Sequence, residues 1–264
     1  MFGLRRCLAH AAGVLAALWL VLASAPLSHG SQITVAVAAN FLEPLELIQP
    51  QFESETGHSL RIVSGSTGKL YAQIINGAPF DVFLSADQER PERLVSEGRT
   101  VPGSRFTYAV GRLILWSADG TRNLADGAKV LAAKEFRKLA LPNPQLAPYG
   151  LAAQQVLEQL GLWTALQGRI VMGENVGQTY GLVASGNAEI GFVSHSAFLS
   201  ENTKQRGVFW IPPAEGYAPI RQDAVILKRA TDKQAAQAFA AFLKSDATRA
   251  ILKRFGYKIE GADG

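Results

Sequence analysis

Small polar residues and glycines stand at four points where an apolar run ends and a helical stretch begins. The four segments are residues 38–40, 65–68, 144–150 and 175–177. The first N–H groups of a helix lack intrahelical acceptors and carry partial positive charge, so such positions hold anions well. Ser66, Thr67 and Tyr149 add hydroxyl donors to these segments. The pattern predicts an anion site made of neutral donors.

The elements that must position these residues alternate between strands and helices. Strand-like runs at 33–40 and 60–65 are each followed by a helical pattern, and a third run lies at 80–87. A run at 138–144 precedes another helical pattern, and runs at 168–175 and 188–194 flank a helix around 180–184. Such alternation is typical of an α/β fold with parallel βαβ units, in which ligands bind beyond the carboxyl ends of the strands. Asn40 and Glu43 have the spacing of a capping box at the first helix.

The middle of the chain predicts a division into two lobes. A long β-type run at 106–117 is suited to carry the chain from one lobe to the other, and strands near 208–226 would bring it back. We therefore predict one lobe from 31–111 and 213–264 and a second from 112–212. Each would be a mixed, mainly parallel sheet flanked by helices, with the ligand in the cleft between lobes. Hinges are expected near 111–115 and 211–220.

Five segments give the chain a recognisable family character: VAVAANFLEPL, SGSTGKLYAQIINGAPFDVFLSAD, GSRFTYAVGRLILWS, LPNPQLAPYG and ENVGQTYGLVASGNAEIGFV. Together they resemble the periplasmic molybdate-binding proteins of ABC importers, from Ile33 to about Tyr257. The resemblance implies the two-lobe, type II-like periplasmic-binding-protein fold. It also implies capture of molybdate, and of tungstate, for delivery to a membrane permease and, through it, to an ATPase subunit. We expect a monomer.

The resemblance also assigns the oxyanion contacts residue by residue. The ligand positions of the family fall on these residues: Ala39, Asn40, Ser66, Thr67, Tyr149 and Val176, the last through its backbone. Many members have serine where Asn40 stands, and many have a ligand-contacting tyrosine where this chain has Ser194 and His195. Ser194 is therefore the weaker candidate. Molybdenum would enter only as molybdate, with no side chain bound directly to the metal and no cofactor.

The first thirty residues predict a signal peptide. Arg5 and Arg6 precede an apolar run at 8–25, and small residues follow up to Gly30, after which we expect cleavage. An uncleaved membrane anchor is the alternative. The mature protein is thus expected in the periplasm.

Cysteine and histidine usage excludes several kinds of site. The single cysteine, Cys7, lies in the predicted signal peptide, as do His10 and His29, which leaves only His58 and His195. The mature chain would therefore form no disulfide and no cysteine-ligated or multi-histidine metal site. It would carry 24 basic and 22 acidic residues, too balanced for a nucleic-acid binder.

Two alternatives remain open at the level of sequence. One is a binding protein for another oxyanion, such as sulfate or thiosulfate. The other is a secreted serine hydrolase that uses Ser66 and Lys69, which match the S-x-x-K motif. The chain lacks the S-D-N and K-T-G motifs that accompany S-x-x-K in β-lactamases, so we predict a binding protein and not an enzyme.

Overall fold

The computed structural model describes residues 30–200 and 207–260. Contacts divide the chain into Met1–Gly30 and Ser31–Gly264, and the second unit contains both sheets. The predicted signal peptide lies outside the described residues, apart from Gly30. Within the described ranges, no helix combines the length and apolar character needed to cross a bilayer.

The elements follow one another in the alternating order that the apolar runs predict. The first half contains β1 (Gln32–Ala38), α1 (Leu42–Thr56), β2 (Ser59–Gly65), α2 (Thr67–Ile75), β3 (Val82–Leu84), α3 (Glu89–Ser96), β4 (Phe106–Gly111), β5 (Leu113–Ser117) and α4 (Gly127–Ala133). The second half contains β6 (Leu139–Pro142), α5 (Pro148–Gln159), α6 (Trp163–Leu166), β7 (Ile170–Gly173), α7 (Val176–Ala184), β8 (Ile190–Ser194), α8 (His195–Leu199), β9 (Val208–Trp210), β10 (Ile220–Ile226), α9 (Lys233–Phe242) and α10 (Asp246–Arg254). Short 3₁₀ turns lie at Ala39–Phe41, Gln167–Arg169 and Ala214–Gly216.

The strands form two five-stranded sheets, each the centre of one lobe. The first has the order β2-β1-β3-β10-β4 and the second β7-β6-β8-β5-β9. In the first sheet only β10 runs against the other strands, and in the second only β5 does. Both sheets are therefore mixed and mainly parallel, as predicted, and the fold is a two-lobe α/β architecture.

Alternating burial explains how the first sheet is covered on both faces. In β1, Val35 and Val37 point into a core with α1, α9 and α10, whereas Ala36 points into a core with α2 and α3. In β3, Leu84 and Phe83 divide in the same way. Successive side chains of a strand point to opposite faces, so continuous apolar runs give sheets buried on both sides. Three of these helices, α1, α2 and α3, follow the carboxyl ends of the parallel strands β1, β2 and β3.

The chain crosses between the sheets twice. β4 ends at Gly111 in the first sheet and β5 begins at Leu113 in the second, so Arg112 makes the outward crossing. The return lies between Trp210 in β9 and Ile220 in β10. The predicted lobe boundaries at 111/112 and 212/213 fall in these crossings. That the two lobes move as separate units about these boundaries remains a prediction.

The capping-box prediction for Asn40 and Glu43 was wrong. Ala38 is the N-cap of the 3₁₀ turn and Phe41 is the N-cap of α1, and neither makes a side-chain capping bond. The 3₁₀ turn inserted between β1 and α1 turns the Asn40 side chain inward. There it forms long-range hydrogen bonds instead of a local cap.

A candidate oxyanion site between the lobes

The four predicted segments meet at one small cavity between the two sheets. Its volume, counted as the space open to the centre of a water molecule, is about 10 Å³. It is lined by Ala38, Ala39, Asn40, Gly65, Ser66, Thr67, Ala86, Ala147, Pro148, Tyr149, Asn175 and Val176. The structure thus brings together six of the residues singled out in the sequence: Ala39, Asn40, Ser66, Thr67, Tyr149 and Val176.

Two hydroxyl groups reach the cavity from the start of α2. Ser66 is the N-cap of α2, and its Oγ accepts a hydrogen bond from the Lys69 N–H at 3.4 Å. The Oγ1 of Thr67 accepts from the Ala86 N–H at 3.2 Å. Both oxygens use a lone pair within the protein, and each hydroxyl has one proton to donate. Both groups are therefore oriented to donate to a ligand.

The opposite lobe contributes a third hydroxyl and a helix start. Tyr149, in the first turn of α5, is 2% exposed, and its hydroxyl accepts a weak hydrogen bond from Gln222 Nε2 at 3.4 Å. Burial, followed by the nearby phenols of Tyr257, Tyr108 and Tyr217, raises the pKa of Tyr149 well above its ordinary value of 10.0. The phenol therefore stays protonated and remains a donor across the physiological pH range.

The start of α7 supplies backbone donors. Asn175 is the N-cap, and its Oδ1 accepts from the Gln178 N–H at 3.0 Å. Val176 is the first residue of this helix, and its N–H therefore has no acceptor within the helix. Because the Asn175 side chain is occupied by capping, the backbone of Val176 is the donor that this segment offers.

Asn40 contributes differently from a simple side-chain ligand. Its Nδ2 donates to Gln222 Oε1 at 2.8 Å and to Tyr257 OH at 3.0 Å, which uses both amide protons. The backbone carbonyl oxygen of Asn40 accepts from Tyr257 OH at 2.7 Å and from Ser196 Oγ at 3.1 Å. The group that remains for a ligand at this position is the backbone N–H in the 3₁₀ turn.

Ser194 does not line the cavity. It is fully buried as the N-cap of α8, where its Oγ accepts from the Ala197 N–H at 3.3 Å and from Ser196 Oγ at 3.0 Å. His195 packs on Phe198 and lies close to Gly256. The serine therefore acts behind the site, within the hydrogen-bond network that holds Asn40.

The lining residues include no acid and no base. The nearest opposite charges, Lys69 and Glu174, pair with each other across the cleft and belong to different lobes. Within the described residues, no group of three His, Cys, Asp or Glu side chains is arranged to hold a metal ion. The site is electrically neutral, and its positive potential comes from hydroxyl groups and helix starts.

The lobes contact each other directly at the mouth of the cavity. The Gly68 N–H donates to Leu146 O at 2.8 Å, and Arg90 Nη2 donates to Gln145 O at 3.1 Å. A Cβ on Gly68 would lie 3.1 Å from the Leu146 Cα, so this glycine serves the contact between lobes. The group that approaches Gly68 is the backbone of the other lobe.

A larger groove lies at the other end of the first sheet. On the same measure its volume is about 580 Å³, and it contains Phe80, Arg99, Leu227 and Arg229. Phe80 precedes β3 and Leu227 follows the antiparallel β10, so the groove lies at the amino ends of the parallel strands. Ligands of such sheets bind at the carboxyl ends, which favours the smaller cavity as the functional site.

Sequence reasoning missed the layer behind the cavity. This layer consists of four residues: Gln222, Tyr257, Ser196 and Tyr108. Buried hydrogen bonds join them to one another and to Asn40 and Tyr149. They come from β10, the C-terminal segment, α8 and β4, far from the motifs in sequence. Gln222 stands between two charged residues, Arg221 and Asp223, so no local signal in the sequence marks it as part of a buried network.

Comparison with known proteins places this geometry in a family. The chain belongs to the bacterial extracellular solute-binding proteins, whose family model matches residues 33–258. It is 46% identical to the molybdate-binding protein ModA of Azotobacter vinelandii, over 88% of this chain and 92% of that protein. It is 42% identical to ModA of Rhodobacter capsulatus, over 92% of this chain and 95% of that protein.

A solved structure agrees with the sequence comparison. The periplasmic molybdate-binding protein of Azotobacter vinelandii superimposes with a TM-score of 0.81 at 46% identity, covering 86% of this chain and 99% of that one. The resemblance to periplasmic molybdate-binding proteins and the two-lobe fold are thereby confirmed.

Proposed function

We propose that this protein captures molybdate, and also tungstate, outside the cytoplasm and delivers it to an ABC permease. The observation that carries the proposal is the small, neutral, donor-lined cavity between the lobes. The molybdate-binding names of its relatives, at 46% and 42% identity, support the same ligand. Ala39, Asn40, Ser66, Thr67, Tyr149 and Val176 are the proposed contacts.

The donor set favours anions that carry no proton. Hydrogen phosphate has a hydroxyl that needs an acceptor, and an unpaired buried donor costs about 1–3 kcal/mol. Because no carboxylate lines the cavity, molybdate, tungstate and sulfate suit it better than hydrogen phosphate. Discrimination against sulfate would then depend on cavity size and oxygen spacing.

The expected affinity follows from the number of bonds. Each hydrogen bond to a charged ligand contributes roughly 1.5–3 kcal/mol, and the lost freedom of association costs about 4–15 kcal/mol. Six donors, three from hydroxyls and three from backbone N–H groups, offset that cost. Submicromolar binding of a dianion is consistent with this balance.

Isothermal titration calorimetry with molybdate, tungstate, sulfate and phosphate tests the proposal. We expect a 1:1 complex with molybdate and tungstate at least about a hundredfold tighter than with sulfate, with phosphate weaker still, because its proton lacks an acceptor. Sulfate binding within tenfold of molybdate would instead identify a general oxyanion carrier.

Two contacts argue against the serine hydrolase alternative. A lysine base would have to take the proton of Ser66, yet Lys69 contacts that oxygen through its backbone N–H. The Lys69 ammonium is paired with Glu174 of the other lobe. We therefore propose that the protein is a carrier without catalytic activity and without a cofactor.

The remaining parts of the proposal concern location and partners. We propose that the signal peptide is cleaved before Ser31, that the mature protein is a periplasmic monomer, and that its partners are the permease and ATPase subunits of an importer. N-terminal sequencing of protein from a periplasmic extract, together with its mass in solution, tests cleavage and oligomeric state. An N-terminus at Met1 in a membrane fraction would contradict the first two statements.

A further inference from the structure

Gln222 occupies the centre of the hydrogen-bond network behind the cavity. The residue is fully buried in β10. Its Oε1 accepts from Asn40 Nδ2 at 2.8 Å and from Tyr108 OH at 3.1 Å, and its Nε2 donates to Tyr149 OH at 3.4 Å. Asn40 and Tyr149 both line the cavity, and they belong to different lobes. One side chain therefore links the two walls of the site.

The local backbone is built to bring this side chain to Tyr149. The pairing of β10 with β4 shifts register between Gln222 and Asp223, where Tyr108 of β4 is the extra residue, and such a bulge re-aims side chains. Arg105 binds the buried Asp223 beside this irregularity. Near Ile220 in the same pairing, a Cβ on Gly111 would lie 2.1 Å from the Tyr149 hydroxyl and 2.7 Å from Gln222 Nε2. Only glycine leaves room for this contact.

The direction of each hydrogen bond is fixed by its neighbour. Asn40 gives one amide proton to Gln222 Oε1 and the other to Tyr257 OH. Gln222 must therefore present its acceptor end to Asn40 and its donor end to the Tyr149 oxygen. The Tyr149 hydroxyl has a single proton. Because its oxygen accepts from Gln222, that proton is not given to Gln222 and can be donated to a ligand in the cavity.

We propose that Gln222 is a positioning residue that makes Tyr149 an obligatory donor and thereby excludes oxyanions that retain a proton. The inference rests on the proposed function, and it explains how a neutral site maintains donor-only chemistry. If the hydrogen bonds from Asn40 through Gln222 to Tyr149 ran in the opposite direction, Tyr149 would donate to residue 222 and turn a lone pair to the cavity. That lone pair could accept the proton of hydrogen phosphate, which the present arrangement leaves unpaired.

The variant Gln222→Glu tests this inference because it keeps the shape and replaces the donor end with an acceptor. Dissociation constants for molybdate, sulfate and phosphate should be measured at about pH 8, where phosphate is a dianion with one proton. The added negative charge weakens all three dianions, so the ratio of affinities isolates the hydrogen-bond direction. We expect molybdate binding to fall at least about 10-fold, and the preference for molybdate over hydrogen phosphate to narrow by about 10-fold or more.

Two further variants keep the test decisive. Gln222→Met removes both hydrogen-bonding ends without adding charge, so we expect a smaller narrowing than with glutamate. Asn40→Asp reverses the same series of hydrogen bonds from the other end. An acceptor at position 40 forces Gln222 to rotate its amide and to present its oxygen to Tyr149. It should narrow the preference even if Gln222→Glu does not fold, which thermal unfolding of the ligand-free protein reveals.

The outcomes separate the inference from the proposed function. An unchanged ratio in folded Gln222→Glu or Asn40→Asp, or equal narrowing with methionine and glutamate, would overturn the role of Gln222. Failure of the unaltered protein to bind molybdate would instead overturn the proposed function. In that case the ratio of the affinities for sulfate and hydrogen phosphate still reports the direction of these hydrogen bonds, because sulfate also lacks a proton.

Discussion

Replacing Tyr149 with phenylalanine removes a single hydroxyl from the wall of the cavity. In the ligand-free protein that oxygen accepts a long hydrogen bond from Gln222 Nε2 at 3.4 Å and lies beside the Tyr257 hydroxyl. The ring itself is 2% exposed and belongs to the core of the second lobe, where phenylalanine packs equally well. The substitution should therefore separate binding from stability.

The expected magnitudes differ for the two properties. Loss of one hydrogen bond to a charged ligand costs roughly 1.5–3 kcal/mol, which is about 10- to 150-fold in affinity. Loss of the long bond to Gln222 should lower the free energy of unfolding by about 1 kcal/mol or less. Molybdate affinity by calorimetry and denaturant unfolding of the ligand-free protein measure the two quantities.

Tyr71→Phe is the matched control for Tyr149→Phe. Its hydroxyl donates to Glu97 at 3.3 Å on the first lobe, outside the cavity lining. We expect unchanged molybdate affinity in this variant. Wild-type affinity in folded Tyr149→Phe would refute the placement of the ligand beside this hydroxyl, and a comparable loss in both variants would point to an indirect effect.

Three further perturbations test closure and pH dependence. Lys69→Ala and Glu174→Ala break the ion pair across the cleft. Because this pair is partly exposed, each variant should weaken molybdate binding by less than about fivefold at low salt, seen as faster release in stopped-flow experiments. Arg137→Ala, which breaks an ion pair within the second lobe, is the control. Burial and then Arg112 lower the pKa of His195 from its ordinary value of 6.5. The free energy of unfolding should therefore be highest above pH 6.5 and should fall as the pH drops through the lowered pKa of the folded state. His195→Gln should flatten this pH dependence, measured by urea unfolding between about pH 7.5 and about pH 5.5. Molybdate should reduce the radius of gyration in small-angle scattering, and an unchanged value at confirmed saturation would indicate a rigid pocket.

The elements and the cavity were predictable because their signals are local. An apolar run followed at once by glycine, serine or asparagine marks a strand that ends at a helix start, as at Gly65 and Ser66. Parallel strands bring such ends to one edge of a sheet. α3 was not predicted, because Glu89–Ser96 is mostly charged and offers little apolar periodicity.

The network behind the cavity could not be predicted, because it depends on distant pairings. The bond between Tyr257 and Asn40 joins positions 217 residues apart, and the bond between Gln222 and Asn40 joins positions 182 apart. Local spacing instead suggested that Asn40 caps a helix with Glu43. The inward turn of Asn40 follows from the 3₁₀ turn and from partners that only the folded sheet order supplies.

The arrangement of contacts explains why an anion, and not the protein alone, should drive closure. At the mouth the lobes share two hydrogen bonds and one ion pair, at Gly68, Arg90 and Lys69. Behind the cavity, Gln222 and Ser196 also form hydrogen bonds across the lobes. The ion pair is partly exposed, and such pairs contribute about 0–1 kcal/mol each. The stronger bonds, from hydroxyls and helix starts of both lobes to a dianion, exist only when a ligand joins them. A ligand shifts a conformational equilibrium only by its better contacts in one state. Because Thr67 and Tyr149 lie in opposite lobes, the closed state is the one in which the anion receives its full set of donors.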